Sequence, residues 1–314
     1  MRRLALLASA LLAAFPVWAG PLRVAVISDL NGSYGSTDYA SAVSGAVARI
    51  IELKPDLVIS TGDMVAGQRR NPHLSAAEID AMWAAFQTEV AAPLAAAGMP
   101  LIATPGNHDA SAYAGFEAER AAYARVWANP PTNVEMVDDD GWPFRYAVAL
   151  DDVLFISLDV TTIGTLDPEQ TAWLDALAGR EAGRRAIVAF SHLPIWPFAV
   201  GRETETAGGE ALASLFSSVG VDAHLTGHHH AFYPGVYDGV LYVAQACLGG
   251  GPRRLVSDAL RAPKAFTLLE VAEDGAITES ALTGPGFAAP IDLETLPPGI
   301  PAPWGVLIRR DLAR

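Results

Sequence analysis

The sequence contains five apolar runs that each end in residues able to bind a metal ion. A short apolar run followed by a polar tip is typical of a buried strand in a parallel sheet. The runs and the polar residues after them are Val24 to Ser28 before Asp29, Leu57 to Gly62 before Asp63, Leu101 to Gly106 before Asn107 and His108, Ala186 to Ser191 before His192, and Ala223 to Gly227 before His228, His229 and His230. Because open α/β sheets place their sites just beyond the strand ends, these side chains are predicted to converge on one rim.

The pattern between these runs predicts an α/β fold. Strands alternate with helical segments from Leu22 onward, which indicates crossover connections, whereas hairpin-like strand pairs begin near Phe144. One helix is predicted to start at Ser75, whose hydroxyl can form a capping box with Glu78. The sequence has no internal repeat or low-complexity linker, so residues 20–285 are predicted to form a single domain.

The N-terminal segment has the layout of a secretory signal. Arg2 and Arg3 precede an apolar stretch from Leu4 to Phe15, and a small-residue site ends at Ala19. Residues 1–19 are therefore predicted to be a cleaved signal peptide, because the apolar stretch is shorter than the ~20 residues that span a bilayer. The expected location is periplasmic or secreted, without stable membrane anchoring after cleavage.

The C-terminal segment, residues 286–314, is predicted to be a proline-rich extension. Six prolines fall between Thr283 and Pro303, and little periodicity accompanies them. Such a composition favours an irregular surface segment without a chemical role.

Charge and cysteine content exclude two classes of function. The chain has 35 acidic and 21 basic residues and a formal net charge of −14, so it lacks the basic stripe that nucleic-acid binding needs. Cys247 is the only cysteine, which excludes an intrachain disulfide and a metal site built from several thiolates. An exported protein without disulfides suits a bacterial periplasm.

Six residues at the strand ends combine hard oxygen donors with imidazole nitrogens. They are Asp29, Asp63, Asn107, His192, His228 and His230. This mixture suits divalent or trivalent first-row metals such as manganese, iron or zinc better than calcium. Isolated histidines are usually structural, so His73 and His224 are predicted to be ordinary surface or packing residues.

The same segments resemble the five ordered sequence blocks of the calcineurin-like metallophosphoesterases. The blocks are Asp29-Leu30-Asn31, Gly62-Asp63, Gly106-Asn107-His108-Asp109, Ser191-His192 and Gly227-His228-His229-His230. The resemblance covers residues 22–285. It implies a four-layer α/β/β/α sandwich with two mixed sheets, and a dinuclear metal centre at the strand ends.

The resemblance also implies a role for each block. The first ion would be held by Asp29, Asp63 and His230, and the second by Asp63, Asn107, His192 and His228. His108 would face the substrate as the catalytic residue, where it would either donate a proton to the leaving oxygen or stabilise the transition state. Asn31 stands where the family usually has a histidine, so it is a candidate but weaker ligand. The first ion is therefore expected to be bound less tightly, to be a harder metal, or to have a water molecule in place of this ligand.

The function implied by the resemblance is hydrolysis of small phosphomonoesters or phosphodiesters by metal-activated water. Two alternatives remain: a non-catalytic metal- or ligand-binding relative in which Asn31 weakens the first site, and a phosphoprotein phosphatase, to which the acidic chain is less suited.

Several nearby residues have open roles. Arg202, Arg253 and Arg254 follow site strands and are candidates to bind a substrate phosphate, although exposed arginines often only solvate a surface. Asp109 either orients His108 or ends a turn. His229 points away from its two neighbours on an extended segment and is predicted to support the site rather than bind metal.

Overall fold

The computed structural model of the protein describes residues 20–258 and 260–313. The predicted signal peptide, residues 1–19, lies outside the described residues. The helices in the described part are α1 (Ser41–Leu53), α2 (Ala76–Phe86), α3 (Ala92–Ala96), α4 (Asn107–Ala110), α5 (Glu117–Val126), α6 (Pro168–Arg180) and α7 (Gly209–Val219). The strands are β1 (Leu22–Ile27), β2 (Leu57–Ser60), β3 (Leu101–Ala103), β4 (Glu135–Asp138), β5 (Tyr146–Leu150), β6 (Val153–Ser157), β7 (Ala186–Ser191), β8 (Ala223–Thr226), β9 (Tyr233–Tyr237), β10 (Val240–Ala244), β11 (Ala265–Val271), β12 (Ile277–Thr283), β13 (Ala289–Pro290), β14 (Gly299–Ala302) and β15 (Gly305–Arg309).

The strands form two mixed sheets. The first has six strands in the order β13-β12-β11-β1-β2-β3, and β1, β2 and β3 are parallel. The second has nine strands in the order β14-β15-β9-β10-β8-β7-β6-β5-β4, with β6, β7, β8 and β10 parallel. The five strands that precede the predicted metal-binding residues are therefore parallel strands, three in the first sheet and two in the second.

Three apolar cores join the sheets and helices into four layers. In β1, Ala25 and Ile27 pack against the helical layer that includes α1 and α2, whereas Val24 and Val26 pack against the second sheet. The outer face of the second sheet packs on α6 and α7. This alternation follows from the opposite directions of successive side chains in a strand. The predicted α/β/β/α sandwich with two mixed sheets is confirmed.

Helix α2 begins as the sequence predicts. The Ser75 side chain accepts a hydrogen bond from the Glu78 N–H, and the Glu78 carboxylate accepts one from the Ser75 N–H. This capping box satisfies donors that the first helical turn would leave unpaired.

The expectation of an irregular C-terminal tail is wrong. Strands β14 and β15 form an antiparallel hairpin, and β15 pairs with β9 at the edge of the second sheet. Pro301 fits within β14 because this strand lies at the sheet edge, where a residue without an N–H donor is tolerated. Proline content alone therefore does not separate an edge strand from an irregular tail.

Among the described residues, the helices are all too short or too polar to cross a membrane.

Candidate metal centre

The parallel strand ends bring the predicted donors into two groups. The first group is Asp29, Asp63 and His230, and the second group is Asp63, His192 and His228. Within each group, one possible ligand atom from every residue lies within 4.8 Å of the others. Asp63 belongs to both groups, so its carboxylate can contact two neighbouring ions.

Hydrogen bonds orient the donors of the second group. The Nδ1 of His192 donates to the Thr61 carbonyl at 2.8 Å, which leaves Nε2 facing Asp63 Oδ2 at 3.3 Å. The same Nε2 lies 2.9 Å from Asn107 Oδ1. The amide nitrogen of Asn107 donates to Gln68 Oε1 at 2.8 Å, so Gln68 turns the Asn107 oxygen toward the group. Gln68 lies outside the five sequence blocks, so no sequence pattern indicates its role.

The first group has a similar arrangement. His230 Nδ1 donates to the Gly251 carbonyl at 3.0 Å, and Nε2 lies 3.0 Å from Asp29 Oδ1. Asn31 is buried beside this group, and its backbone N–H donates to the Asp63 carbonyl at 3.2 Å. The structure thus places the Asn31 backbone against the backbone of the shared aspartate.

The buried carboxylates and imidazoles form charge pairs. Burial would lower the pKa of His192, but the Asp63 carboxylate outweighs it and raises the pKa to about 9. Burial likewise opposes protonation of His230, whereas Asp29 raises its pKa to about 10. Burial would raise the pKa values of both aspartates, but these imidazoles hold them below the ordinary value. A metal ion would replace the imidazole protons in such pairs, and this donor set fits divalent or trivalent first-row ions.

Four of the donor residues have left-handed backbone conformations. The φ angle is 51° at Asp29, 55° at Asp63, 64° at His228 and 51° at His230. Residues with a Cβ seldom adopt this region, and its use is concentrated where function fixes a side-chain direction. No sequence pattern indicates this conformation, because aspartate and histidine carry no conformational requirement that marks it.

Glu205 contacts the second group although the sequence did not identify it. His228 Nε2 donates to Glu205 Oε2 at 2.9 Å. The hydrogen bond from His228 is the main reason that the pKa of Glu205 lies at about 2, while burial lowers the pKa of His228. The pair therefore consists of an ionised carboxylate and a neutral imidazole.

His108 lies at the edge of this centre and lines a cavity of about 230 Å³. Its Nδ1 donates to the Gly67 carbonyl at 2.8 Å, which leaves Nε2 free of that contact. The exposed ring of Tyr34 stacks on His108 with 5.3 Å between centroids. Tyr34 could not be predicted from the sequence, since a single aromatic residue in a loop does not indicate a site.

The role of Asp109 is structural. Its carboxylate accepts hydrogen bonds from the N–H groups of Val65 and Gly106, each at 2.9 Å. Burial raises the pKa of Asp109 to about 7, with the nearby Asp63 charge acting in the same direction. Asp109 thus joins the loops that follow β2 and β3, rather than orienting the His108 ring.

Two of the three candidate arginines reach the cavity. Arg202 and Arg253 line it, whereas Arg254 is exposed and lies outside its lining. Arg202 Nη1 donates to both carboxylate oxygens of Glu205, at 2.5 and 2.6 Å. Arg253 Nη1 donates to the His228 carbonyl at 2.6 Å. Both guanidinium groups are therefore held in fixed positions beside the metal centre.

The remaining histidines lie outside both donor groups. His229 is fully buried; its Nδ1 accepts from the Phe198 N–H at 3.1 Å, and its Nε2 donates to the Glu205 carbonyl at 3.1 Å. His224 is buried in β8, and His73 is exposed.

Comparison with known proteins places these observations among phosphoesterases. A sequence model described as calcineurin-like phosphoesterase matches residues 22–232. No protein with curated annotation matches the sequence. The matched segment contains every block that carries the two donor groups.

Solved structures share the fold at low sequence identity. A purple acid phosphatase, PPD1, from yellow lupin (Lupinus luteus) seeds is 15% identical with a TM-score of 0.63, covering 86% of this chain and 52% of that chain. This chain therefore spans about half the length of the lupin enzyme. A dimetal phosphatase from Danio rerio is 14% identical with a TM-score of 0.57, covering 84% and 99%.

A third similar structure is GAP50, described as the anchor in the inner membrane complex of Plasmodium. It is 12% identical with a TM-score of 0.54, covering 84% of this chain and 85% of that chain. The fold is thus shared by proteins with different descriptions, so function has to be argued from the site.

Proposed function

The chain belongs to the calcineurin-like phosphoesterase family, and we propose that it is an exported hydrolase of small phosphomonoesters or phosphodiesters. The observation that carries this proposal is the pair of donor groups that share Asp63. Two ions bound there would supply Lewis acidity to the phosphate and lower the pKa of the attacking water. The family and the donor set support metal-dependent phosphoester hydrolysis; the substrate size and the export are our proposals.

The chain's own residues hold and orient the reacting groups. Asp63 can contact both ions, while Asn107 and His192 are fixed by their hydrogen bonds to Gln68 and Thr61. Holding donors in place before the substrate arrives removes a reorganisation cost from the reaction.

His108 is the proposed proton donor to the leaving oxygen. Its Nδ1–H donates to the Gly67 carbonyl, so the ring would donate as an imidazolium, with the transferred proton on the cavity-side Nε2. General acid catalysis by a positioned side chain usually contributes about 10² to 10⁴ in rate. A departing alkoxide would otherwise leave with full negative charge beside Asp63.

The cavity supports a small substrate. Its volume of about 230 Å³ is below the range of roughly 300 to 1,000 Å³ that is common for drug-sized ligands. Arg202 and Arg253 are the lining cations, and a phosphate ester is the anionic ligand that such groups favour.

Export is proposed from the N-terminal sequence alone. Arg2 and Arg3, the apolar stretch and the site at Ala19 form the signal layout, and the enzyme would act in the periplasm or outside the cell. N-terminal sequencing of the protein secreted by an expressing bacterium tests this, and a mature chain that keeps residues 1–19 would contradict it.

Asn31 favours one alternative, a relative that binds metal without catalysing hydrolysis. If the first group cannot hold an ion, the shared carboxylate serves the second group only. The proposed function expects two ions per chain and ester hydrolysis, whereas the alternative expects at most one ion and no hydrolysis.

The experiment uses the full chain, stripped of metal and reloaded with manganese, zinc or iron. Hydrolysis of p-nitrophenyl phosphate and bis-p-nitrophenyl phosphate is measured together with bound metal, and Asp63→Asn is the control. Turnover with two ions per chain supports the proposal. At most one ion and no turnover with either ester would support the non-catalytic alternative.

A further inference from the structure

A carboxylate in the loop between β7 and α7 contacts the second group of donors and lines the same cavity. Glu205 is partly buried, with 24% of its side chain exposed, and its Oε2 accepts from His228 Nε2 at 2.9 Å. Neither donor group includes Glu205. Glu205 therefore contacts a candidate ligand from outside the group rather than completing the group itself.

The hydrogen bond decides which nitrogen of His228 can face an ion. Because Nε2–H is donated to Glu205, Nδ1 is the nitrogen with a free lone pair. His192 and His230 have the opposite arrangement, with Nδ1 anchored to a carbonyl and Nε2 facing a carboxylate. His228 is thus the one histidine of the two groups whose hydrogen-bond partner outside the groups is a charged side chain.

The loop itself is fixed at this point. Arg202 binds both oxygens of Glu205, and the Glu205 backbone carbonyl accepts from His229 Nε2 at 3.1 Å. His229 also accepts from the Phe198 N–H. The two adjacent histidines therefore fasten the loop through different parts of Glu205, and the carboxylate cannot swing away without breaking these contacts.

We propose that Glu205 is a positioning residue that sets the tautomer and ring orientation of His228 for the second ion. The proposal rests on the proposed function only in assuming that ions bind at the two groups. A ligand histidine whose other nitrogen donates to a carboxylate is more basic and has fewer orientations, and removing such partners typically lowers metal affinity by about 10- to 100-fold.

The test measures ion affinity in the full chain. Metal-free protein carrying Asp29→Asn, which weakens the first group, is titrated with zinc alone so that the remaining second-group affinity is read directly. Glu205→Ala is expected to weaken that affinity by about 10- to 100-fold. Glu205→Gln keeps an oxygen acceptor and should fall between Glu205→Ala and the parent. Glu203→Gln, an exposed glutamate in the same loop, is the matched control and should leave the affinity unchanged.

A second readout does not depend on metal. Nitrogen-15 shifts of the metal-free protein should show His228 with its proton on Nε2 in the parent, and a mixture of tautomers in Glu205→Ala. This comparison also shows whether the variant is folded, since the buried histidines keep their own shifts.

Unchanged zinc affinity in Glu205→Ala would overturn the proposal. Tighter binding would overturn it as well, because it would mean that the carboxylate competes with the ion for His228. Weaker ion binding in Glu205→Ala, in a protein that nevertheless hydrolyses no ester, would support the role of Glu205 while rejecting the proposed function. Ester hydrolysis by a protein whose ion affinity is the same with and without Glu205 would support the proposed function while rejecting the role of Glu205.

Discussion

The backbone N–H of His108 donates a 2.8 Å hydrogen bond to Oδ1 of Asp63, the carboxylate that both donor groups share. The His108 ring approaches the same carboxylate less closely, with 3.9 Å between Nε2 and Oδ2. The backbone contact does not depend on the side chain at position 108, whereas any proton transfer does. Residue 108 therefore supports the metal centre through its backbone and the proposed chemistry through its ring.

His108→Ala should separate these two contributions. The variant keeps the N–H bond to Asp63, so we expect its bound metal to equal that of the unmodified protein. Turnover of p-nitrophenyl phosphate should fall by about 10² to 10⁴, because the proton donor is lost. Metal analysis and kinetics on the same sample check both parts. A parallel loss of metal and turnover would assign the ring to ion binding instead.

Asp63 and Asp29 should differ in how many ions depend on them. Asp63→Asn removes the charge shared by both groups and is expected to bind neither ion at micromolar concentrations. Asp29→Asn affects only the first group and should keep the second ion. Metal counting after dialysis against zinc or manganese distinguishes the variants. Equal stoichiometry in the two variants would show that Asp63 is not shared.

Asn31→His should strengthen the first group. The residue is buried against Asp63, and an imidazole is a better ligand than an amide oxygen for zinc. We expect first-ion affinity to rise by about tenfold, which corresponds to roughly 1.4 kcal/mol. Zinc titration of Asn31→His, with Asn31→Ala for comparison, checks this. Identical affinities in all three proteins would place residue 31 outside the coordination shell.

Much of the fold and of the donor set could be predicted because both follow from local sequence. A buried parallel strand needs a continuous apolar run. The residue that follows such a run lies at the carboxyl end of the strand, where open α/β sheets place their sites. Asp29, Asp63, His192, His228 and His230 meet in the structure for this reason.

The partners of these donors could not be predicted in the same way. Glu205 and Gln68 reach the centre through loops, and the pairing with His228 or Asn107 spans 23 and 39 residues. No sequence pattern distinguishes Glu205 from the exposed Glu203 two positions earlier. Such contacts depend on loop conformation, which apolar periodicity does not encode.

Gly106→Ala should damage the centre without changing a donor. A Cβ at position 106 would overlap the Asp63 backbone and carboxylate, and backbone atoms cannot move aside easily. We expect a loss of about 1 to 3 kcal/mol in the free energy of unfolding, together with reduced metal binding. Urea unfolding of the metal-free protein and metal counting check these effects.

Gly179→Ala is the matched control for that substitution. Gly179 lies in α6, is exposed, and has open space where a Cβ would be added. Alanine there should raise the free energy of unfolding by up to about 1 kcal/mol. A Gly106→Ala protein as stable as the Gly179→Ala protein would show that the loops after β2 and β3 can separate.

His224→Phe should reduce the loss of stability in acid. His224 is buried against Phe216, and burial lowers its pKa to about 3, below the ordinary histidine value of 6.5. Protonation therefore favours the unfolded chain: the stabilisation is complete above about pH 6.5 and is lost as the pH falls toward 3. Between pH 7 and pH 5 this one group should account for about 2 kcal/mol of lost stability.

The measurement is urea unfolding at both pH values with chelator present. Between pH 7 and pH 5, the free energy of unfolding of the variant should fall by about 2 kcal/mol less than that of the unmodified protein. His229 titrates in the same direction and remains in the variant, so part of the pH dependence should persist. A His224→Phe protein that loses as much stability as the unmodified chain would mean that His224 becomes protonated within the fold.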